Sequence, residues 1–599
     1  VRIFNSNISD EDDRTKNGVT ISAEEGGVNI TGVSTEIAAN ATPQGGLYLN
    51  TVTAKAGINV TDNGTVKVLG AVKNTASGSV DMTAQKDLTV GAQGSITNSG
   101  TGLSLTAGKI NTTDATKNVV GNIALRGDVS NANGTTVLAS KTGAISQAYD
   151  NTNTAATNAQ LTAANLQASA VNGIDLGNKA NVLAKVSLTN INNDVVLGNG
   201  GSTALDITLN HAVTGSIALH NYVAGEINDM TVNGIVQAVK TIDAVNDEGK
   251  LTFTTNDVWA SAESVKLHAI GDVVNNRTIL VTGEGKNIDM LSDTGNVINN
   301  KNVSADGGYI HMDAAKAIQN YGTVTAAKDV AMVAEDGKIT NNAAIDAGQG
   351  LTMTAKNGSI ENTASLTSQN GGVSLAATNG TITNNSSVTA KEAADFTATG
   401  DISLLGTANT IQGSAVKAAV TKEGNINVEA TLKATSGDIS LTTPNGNIKT
   451  DNAVTAAQNV TATTGNGNIE VQKPMTAQNG SIDLETKNGA VTVADKLTAA
   501  QNVTATTDKG DVNITGAVEG TNGNVNISTK EGNVVANSTV TAGQDANLTA
   551  QNNLTVNQAV QAGQNANLTT GQGNLEVAGS VTAQQGNANL EAGGDGALH

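Results

Sequence analysis

The segment VTAAQNVTATT at residues 454–464 returns almost unchanged as LTAAQNVTATT at residues 497–507, 43 residues later. Units of the same kind open with apolar residues spaced 20 to 22 residues apart: Val454, Met475, Leu497, Val518, Val540, Val560 and Val581. The offset of 43 residues is therefore two periods of a shorter repeat. A fixed period in this range is typical of a solenoid, in which each repeat buries its apolar face against its neighbours.

Within one unit, apolar and polar residues alternate in short runs. The unit that begins at Val454 pairs Val460 with Ala462 and Ile469 with Val471, and one polar residue separates the members of each pair. This alternation predicts short half-buried strands. The Ala-Gln-Asn and Gly-Asn-Gly segments between them favour turns. Three strands and three corners in about 21 residues predict one coil of an all-β parallel β-helix, which we expect to be right-handed.

The regularity of this pattern divides the chain into three predicted parts. Residues 1–110 carry strand pairs of the same kind, such as Val28 with Ile30, and are predicted to form N-terminal β-helix coils. Residues 111–260 keep the strand pattern with looser spacing, so we expect an irregular β-helix section with longer loops. Residues 261–599 are predicted to form regular β-helix repeats.

Composition agrees with a narrow interior and excludes several classes of site and partner. Aromatic residues make up 2% of the 599 residues, and cysteine is absent, so no disulfide or thiolate metal site is possible. The net charge is −20 with no cluster of basic residues, which argues against a nucleic-acid partner. No apolar run is long enough to span a bilayer as a helix. We expect no cofactor and no metal site.

Asparagine recurs at one position in six successive units, four residues before an apolar residue. An amide stacked on the same amide of the next coil can donate to its side-chain carbonyl oxygen, which satisfies polar groups at a buried corner. An unpaired amide there would cost about 1–3 kcal/mol. We therefore predict a structural ladder, with no ligand role, at Asn275, Asn299, Asn320, Asn341, Asn362 and Asn384.

The tripeptide Arg126-Gly127-Asp128 is the clearest candidate for receptor binding, because integrins recognise this sequence. Gly-Asp followed by Val or Ile recurs elsewhere in the repeat, beginning at Gly271, Gly400, Gly437 and Gly510. Gly-Asp is thus interpreted first as a turn that enters a strand, and only Arg126 is unusual. Contact with a host receptor is the second interpretation.

Catalytic residues are not predicted. Parallel β-helices often carry enzymes that cleave acidic polysaccharides, which need converging carboxylates or basic residues and a groove for the sugar. No aromatic cluster in this sequence offers a surface for sugar stacking. The internal histidines are scattered, at His211, His220, His268 and His311. We expect the chain not to be an enzyme.

The repeats TAQNGSIDL, TAGQDANLTA and TAKNGSIENTASL resemble those of filamentous-haemagglutinin-type adhesins, which are Gram-negative exoproteins exported by two-partner secretion. The resemblance covers residues 271–593 well and residues 1–110 more loosely. It implies a β-helical fibre on, or released from, the cell surface. Such a fibre serves attachment, aggregation or biofilm cohesion, with a receptor or glycan of a host or neighbouring cell as its partner. The Asn-Pro-Asn-Gly signature of the family's secretion domain is missing, so an internal shaft is expected.

Two other hypotheses stand beside an adhesin shaft. The ends of a β-helix expose strand edges that template further pairing, so the chain could be a subunit that polymerises head to tail into an extracellular filament. Alternatively, it could be a polysaccharide-active β-helix enzyme, which would require converging carboxylates that the sequence does not reveal.

Overall fold

A computed structural model describes residues 2–3, 19–32, 45–151, 158–222, 228–255 and 260–599. Within these ranges the only helix is the short 3-10 turn Ala115–Lys117, and it is far too short to cross a membrane. Each strand pairs in parallel with the equivalent strand of the next coil. The protein is therefore an all-β parallel β-solenoid, and the predicted fold class is confirmed.

The chain forms two compact units, Val1–Gly307 and Gly308–His599. In the first unit, two ladders run through the described coils, and we call them face A and face B. The strands of face A are Arg2–Ile3, Val28–Gly32, Ile58–Asp62, Ser79–Ala84, Gly102–Ala107, the second halves of Val129–Ser140, Leu161–Ala170 and Val182–Asn190, then Leu205–Leu209, Met230–Gly234, Leu251–Phe253, Val273–Asn275 and Val297–Asn299. The strands of face B are the first half of Gly46–Ala54, then Thr65–Val68, Leu88–Val90, Ile123–Leu125, Ile145–Gln147, Ile174–Leu176, Val195–Asn199, Ile217–Asn221, Thr241–Asn246, Ser264–Ala269 and Ile288–Ser292.

The third ladder changes its place in the order of strands around the coil within the first unit. In its early coils the third ladder, face C, lies between face B and the next strand of face A. Its strands are Val19–Ala23, the second half of Gly46–Ala54, Ala71–Asn74, Ser95–Asn98 and the first halves of the three long strands that continue into face A. From Val213 onward the third ladder, face D, lies between face A and face B. It begins with the bridges Val213–Ala238 and Gln237–Ser261 and continues as Ala260–Ala262, Ile279–Val281 and Val303–Ala305.

The second unit keeps one arrangement, in which the chain passes from face B to face A, then to face D and back to face B. Its face A strands are Ile318–Asn320, Ile339–Asn341, Ile360–Asn362, Ile382–Asn384, Ile402–Leu404, Ile426–Val428, Ile448–Thr450, Ile469–Val471, Val491–Val493, Val512–Ile514, Val534–Ala536, Leu554–Val556 and Leu575–Val577. Its face B strands are Ile310–Ala314, Val330–Ala334, Leu351–Ala355, Val373–Ala377, Ala394–Ala398, Val416–Val420, Ile439–Asn445, Val460–Asn466, Ile482–Asn488, Val503–Lys509, Val525–Glu531, Ala546–Ala550, Ala566–Thr570 and Ala588–Ala592. Its face D strands are Val324–Ala326, Ile345–Ala347, Leu366–Ser368, Val388–Ala390, Thr410–Gly413, Thr431–Ala434, Val454–Ala456, Met475–Ala477, Leu497–Ala499, Val518–Gly520, Val540–Ala542, Val560–Ala562 and Val581–Ala583.

The core is a set of apolar columns that run through successive coils. Strand Ile310–Ala314 alternates buried and partly exposed residues, as period-two patterning requires. On face A, Ile339 pairs with Ile360 and Ile360 with Ile382, 21 and 22 residues apart, and all three are fully buried. Each such side chain contributes about 1.5–3 kcal/mol through the area it removes from water. This stacking stabilises the contact between neighbouring coils, since a single coil cannot bury its apolar side chains by itself.

Candidate functional site

The tripeptide Arg126-Gly127-Asp128 forms the corner between the face B strand Ile123–Leu125 and the strand that begins at Val129. Arg126 is exposed, whereas Gly127 is buried. A Cβ atom on Gly127 would overlap the carbonyl oxygen of Gly94 in the preceding coil. Glycine is therefore required here for close approach of two backbones.

Asp128 fixes the same corner to the following coil and to the preceding one. Its Oδ1 accepts the backbone N–H of Gln160 at 2.8 Å, and its carbonyl oxygen accepts the backbone N–H of Ile96 at 2.9 Å. All three residues thus have structural contacts, since the Arg126 backbone N–H also donates to the carbonyl oxygen of Val90 at 2.8 Å. Only the Arg126 side chain and the second oxygen of the Asp128 carboxylate remain as groups that a receptor could contact.

The contact made by Asp128 is repeated along the chain by other Asp and Asn residues that precede strands. Asp401 Oδ1 accepts the backbone N–H of Asn425 at 2.6 Å, and Asn425 Oδ1 accepts that of Asn447 at 2.8 Å. The same bond continues from Asn447 to Asn468, again at 2.8 Å. These oxygens satisfy a backbone donor at a corner, where no ladder partner is available. The recurrence of Gly-Asp and Gly-Asn in the sequence therefore has a structural cause.

The six predicted asparagines lie at the corner where face A ends, and each is at most 1% exposed. In the first unit, Asn275 Nδ2 donates to Asn299 Oδ1 at 2.8 Å. In the second unit, the amides of Asn320, Asn341 and Asn362 each donate to the next asparagine, at 2.7, 2.7 and 2.6 Å, and the series ends at Asn384.

The sequence analysis did not predict two further buried asparagine ladders in the first unit. One joins Asn74 to Asn98 at 2.8 Å and Asn98 to Asn131 at 3.4 Å, at the end of face C strands. The other joins Asn199, Asn221 and Asn246 at 2.8 Å per step, at the end of face B strands. Their spacings of 24, 33, 22 and 25 residues depart from the regular period, which hid them. The signal that could have found them is an Asn that ends successive strands or, as at Asn131, the first part of a long strand.

A groove on the outer side of face B brings together side chains that lie far apart in sequence. It crosses the coils in which the third ladder moves from face C to face D. Its volume is about 240 Å³. Its main polar and aromatic lining residues are Tyr149, Asn151, His220, Tyr222 and Asp243. The sequence analysis did not bring Tyr149 and Tyr222 together, whereas both line this groove because each follows a face B strand.

The floor of the groove follows from the register of face B. Asp175, Val196, Ala218 and Asp243 occupy one outward column, since each pairs with the next. In a neighbouring column Gly198 pairs with His220. A Cβ atom on Gly198 would overlap the carbonyl oxygen of Gly177, so glycine allows two backbones to approach closely here.

The two tyrosines are held by acidic and amide groups. Tyr149 Oη donates to Asp175 Oδ1 at 2.7 Å, and burial together with this hydrogen bond raises the pKa of Tyr149 well above its usual range. Burial and the nearby charge of Asp247 raise the pKa of Tyr222, which also hydrogen-bonds the side chain of Asn151. Both hydroxyl groups therefore remain protonated donors at neutral pH.

The histidine of the groove is fixed on two sides. The rings of His220 and Tyr222 stack with centroids 3.5 Å apart and an angle of 20° between their planes. Nε2 of His220 lies 2.8 Å from Asp247 Oδ1. In the same column, two coils further on, His268 Nε2 lies 3.1 Å from both carboxylate oxygens of Asp293. The histidines that look scattered in sequence thus include two equivalent His–Asp pairs on face B.

The polar capacity of the groove is only partly used within the protein. Asp243 Oδ1 is buried and accepts no hydrogen bond from the described residues. Asn151 donates to the carbonyl oxygen of Gly177 at 2.7 Å and accepts the backbone N–H of Lys179 at 2.9 Å, so its position is fixed. Across the described ranges, no three His, Asp or Glu side chains are grouped so that they could hold a metal ion.

Comparison with protein-family models, with curated proteins and with solved structures found no match to this chain.

Proposed function

We propose that the chain is the non-enzymatic shaft of a bacterial surface fibre that mediates adhesion, aggregation or biofilm cohesion. The observation that supports this proposal is the stacking within each unit, where parallel ladders continue coil after coil around a packed apolar core. Backbone hydrogen bonds along such ladders resist bending and extension, while the outward residues remain free to vary. The resemblance of the repeats to filamentous-haemagglutinin-type adhesins supports the same function, and with it a cell-surface or extracellular location in a Gram-negative-type bacterium.

The partner that we propose is a receptor or glycan on a host cell or a neighbouring cell. Arg126 supports a receptor contact because its side chain is exposed at a corner whose backbone is fixed by Gly127 and Asp128. The groove on face B supports a glycan contact. The two sites lie at the ends of neighbouring face B strands, because Leu125 pairs with Gln147, so each is tested with substitutions of its own side chains.

The proposal is tested with beads coated with the purified chain. We expect the beads to attach to bacterial or epithelial cells, or to aggregate cells, more than beads coated with heat-denatured chain. Arg126→Ala separates receptor contact at the tripeptide from other adhesion, because the Arg126 side chain is exposed. A folded chain that neither attaches nor aggregates cells above the denatured control would contradict the proposed function.

A further inference from the structure

We propose that the face B groove binds one neutral sugar residue, with the ring of Tyr222 as the stacking surface. The inference rests on the proposed adhesive function and deepens it, because it names the class of ligand and the residues that contact it.

The aromatic part of the groove suits the apolar face of a sugar ring. Tyr222 is partly exposed, and its ring is held against His220 with centroids 3.5 Å apart. A tyrosine fixed in this way presents a rigid apolar surface next to a hydroxyl group, so little side-chain entropy is lost on binding. The volume of about 240 Å³ lies below the about 300–1,000 Å³ typical of sites for drug-sized ligands, which favours a single ring.

The polar part of the groove suits sugar hydroxyl groups. Asp243 lines the groove, and a hydroxyl group that donates to a carboxylate makes a charge-assisted bond. Tyr149 and Tyr222 also line the groove, and the Tyr149 hydroxyl oxygen, whose proton is donated to Asp175, can accept a hydrogen bond. Donors and acceptors thus stand beside an apolar ring, which is the combination that a polyhydroxylated ring requires.

The charge of the groove selects neutral over acidic sugars. Asp175, Asp243 and Asp247 surround the tyrosines, and the nearby Lys179 ammonium donates to the carbonyl oxygen of Asn151. A uronic acid or a sialic acid would bring a further carboxylate among these groups and would be repelled. Asp175 and Asp247 are already engaged with Tyr149 and His220, so this arrangement favours binding without cleavage.

The test uses the full chain and three probes observed by saturation-transfer NMR and titration calorimetry: methyl β-D-glucopyranoside, methyl N-acetyl-β-D-glucosaminide and methyl β-D-glucuronide. We expect at least one neutral glycoside to bind, and the glucuronide to bind at least ten-fold more weakly. Tyr222→Ala should lower the affinity at least ten-fold. Tyr321→Ala, which removes an exposed tyrosine in the second unit, is the matched control and should change nothing.

Circular dichroism and melting temperature show whether each variant is folded, and Asp243→Asn gives a second variant if Tyr222→Ala unfolds. The proposal is overturned if neither neutral glycoside binds, if the glucuronide binds as tightly, or if the folded groove variants bind like the unchanged chain. The two proposals fail separately. Beads coated with Tyr222→Ala that still attach to cells show adhesion without the groove, and glycoside binding by a chain that does not attach shows a groove without adhesion.

Discussion

Neighbouring residues of the Arg126-Gly127-Asp128 corner should respond very differently to substitution. Gly127→Ala places a methyl group against the Gly94 carbonyl oxygen, and we expect it to lower the free energy of unfolding by about 1–3 kcal/mol. Arg126→Ala should change it by less than about 0.5 kcal/mol, because the side chain is exposed. Urea denaturation measures the change in the free energy of unfolding for both variants, and hydrogen exchange of the native chain locates the change in the surrounding coils. Equal effects would contradict the assignment of a structural role to Gly127 and of none to the Arg126 side chain.

The raised pKa of Tyr149 predicts a distinct behaviour at alkaline pH. An unfolded tyrosine ionises near pH 10, whereas the folded Tyr149 keeps its proton and its hydrogen bond to Asp175 above that pH. Its contribution to stability is therefore fully present below about pH 10 and is lost as the pH rises through the raised value.

Phenolate absorbance measures this prediction. Between about pH 9 and pH 11, where unperturbed tyrosines titrate, we expect Tyr149→Phe and the unchanged chain to show the same absorbance increase. The unchanged chain should gain one more phenolate only at higher pH. A loss of one tyrosine's absorbance from the lower range in Tyr149→Phe would show that Tyr149 titrates normally.

At the scale of elements, burial should decide what an asparagine ladder contributes. Asn341→Ala leaves the amide of Asn320 and the carbonyl oxygen of Asn362 without their partner in a corner where all three are at most 1% exposed. We expect a loss of about 1–3 kcal/mol, because two buried hydrogen bonds are removed. The matched control is Asn466→Ala, in an exposed ladder where Asn466 donates to Asn445 at 2.6 Å and accepts from Asn488 at 2.7 Å.

Because water replaces the lost partners on the surface, Asn466→Ala should cost less than about 0.5 kcal/mol. Equilibrium denaturation of the two variants gives the comparison. Equal losses would mean that the ladder stabilises the chain through geometry alone and that burial does not matter.

Elements were predictable from sequence where one rule repeats without interruption. The strand pairs near Val454 and the spacing of Asn320, Asn341 and Asn362 come from coils of constant length, so position in sequence gives position in space. The ladder of Asn199, Asn221 and Asn246 was missed because intervening segments differ in length. The contact of Tyr149 with Asp175 and the approach of Tyr222 depend on the pairing register between such coils. No local sequence pattern predicts that register. The move of the third ladder from face C to face D was equally hidden, since both faces use the same alternating strands.

At the scale of the whole molecule, the net charge of −20 should keep separate chains apart at neutral pH. We expect light scattering to show dispersed chains at pH 7 and low ionic strength, and association as the pH approaches the isoelectric point of about 4.6 or as salt screens the charge. Filaments that form at pH 7 in low salt would contradict this expectation. They would favour head-to-tail polymerisation through strand edges over a dispersed shaft.

The near-identical segments at 454–464 and 497–507 occupy equivalent places two coils apart. Val454–Ala456 and Leu497–Ala499 both belong to face D, and the strands that follow them, Val460–Asn466 and Val503–Lys509, both belong to face B. An in-frame genetic crossover between the two would delete or duplicate 43 residues, and each strand would meet a new neighbour with the same pattern as the old one. Recombination can therefore lengthen or shorten the encoded protein by whole turns, and natural selection can adjust its reach without having to solve the folding of a new sequence.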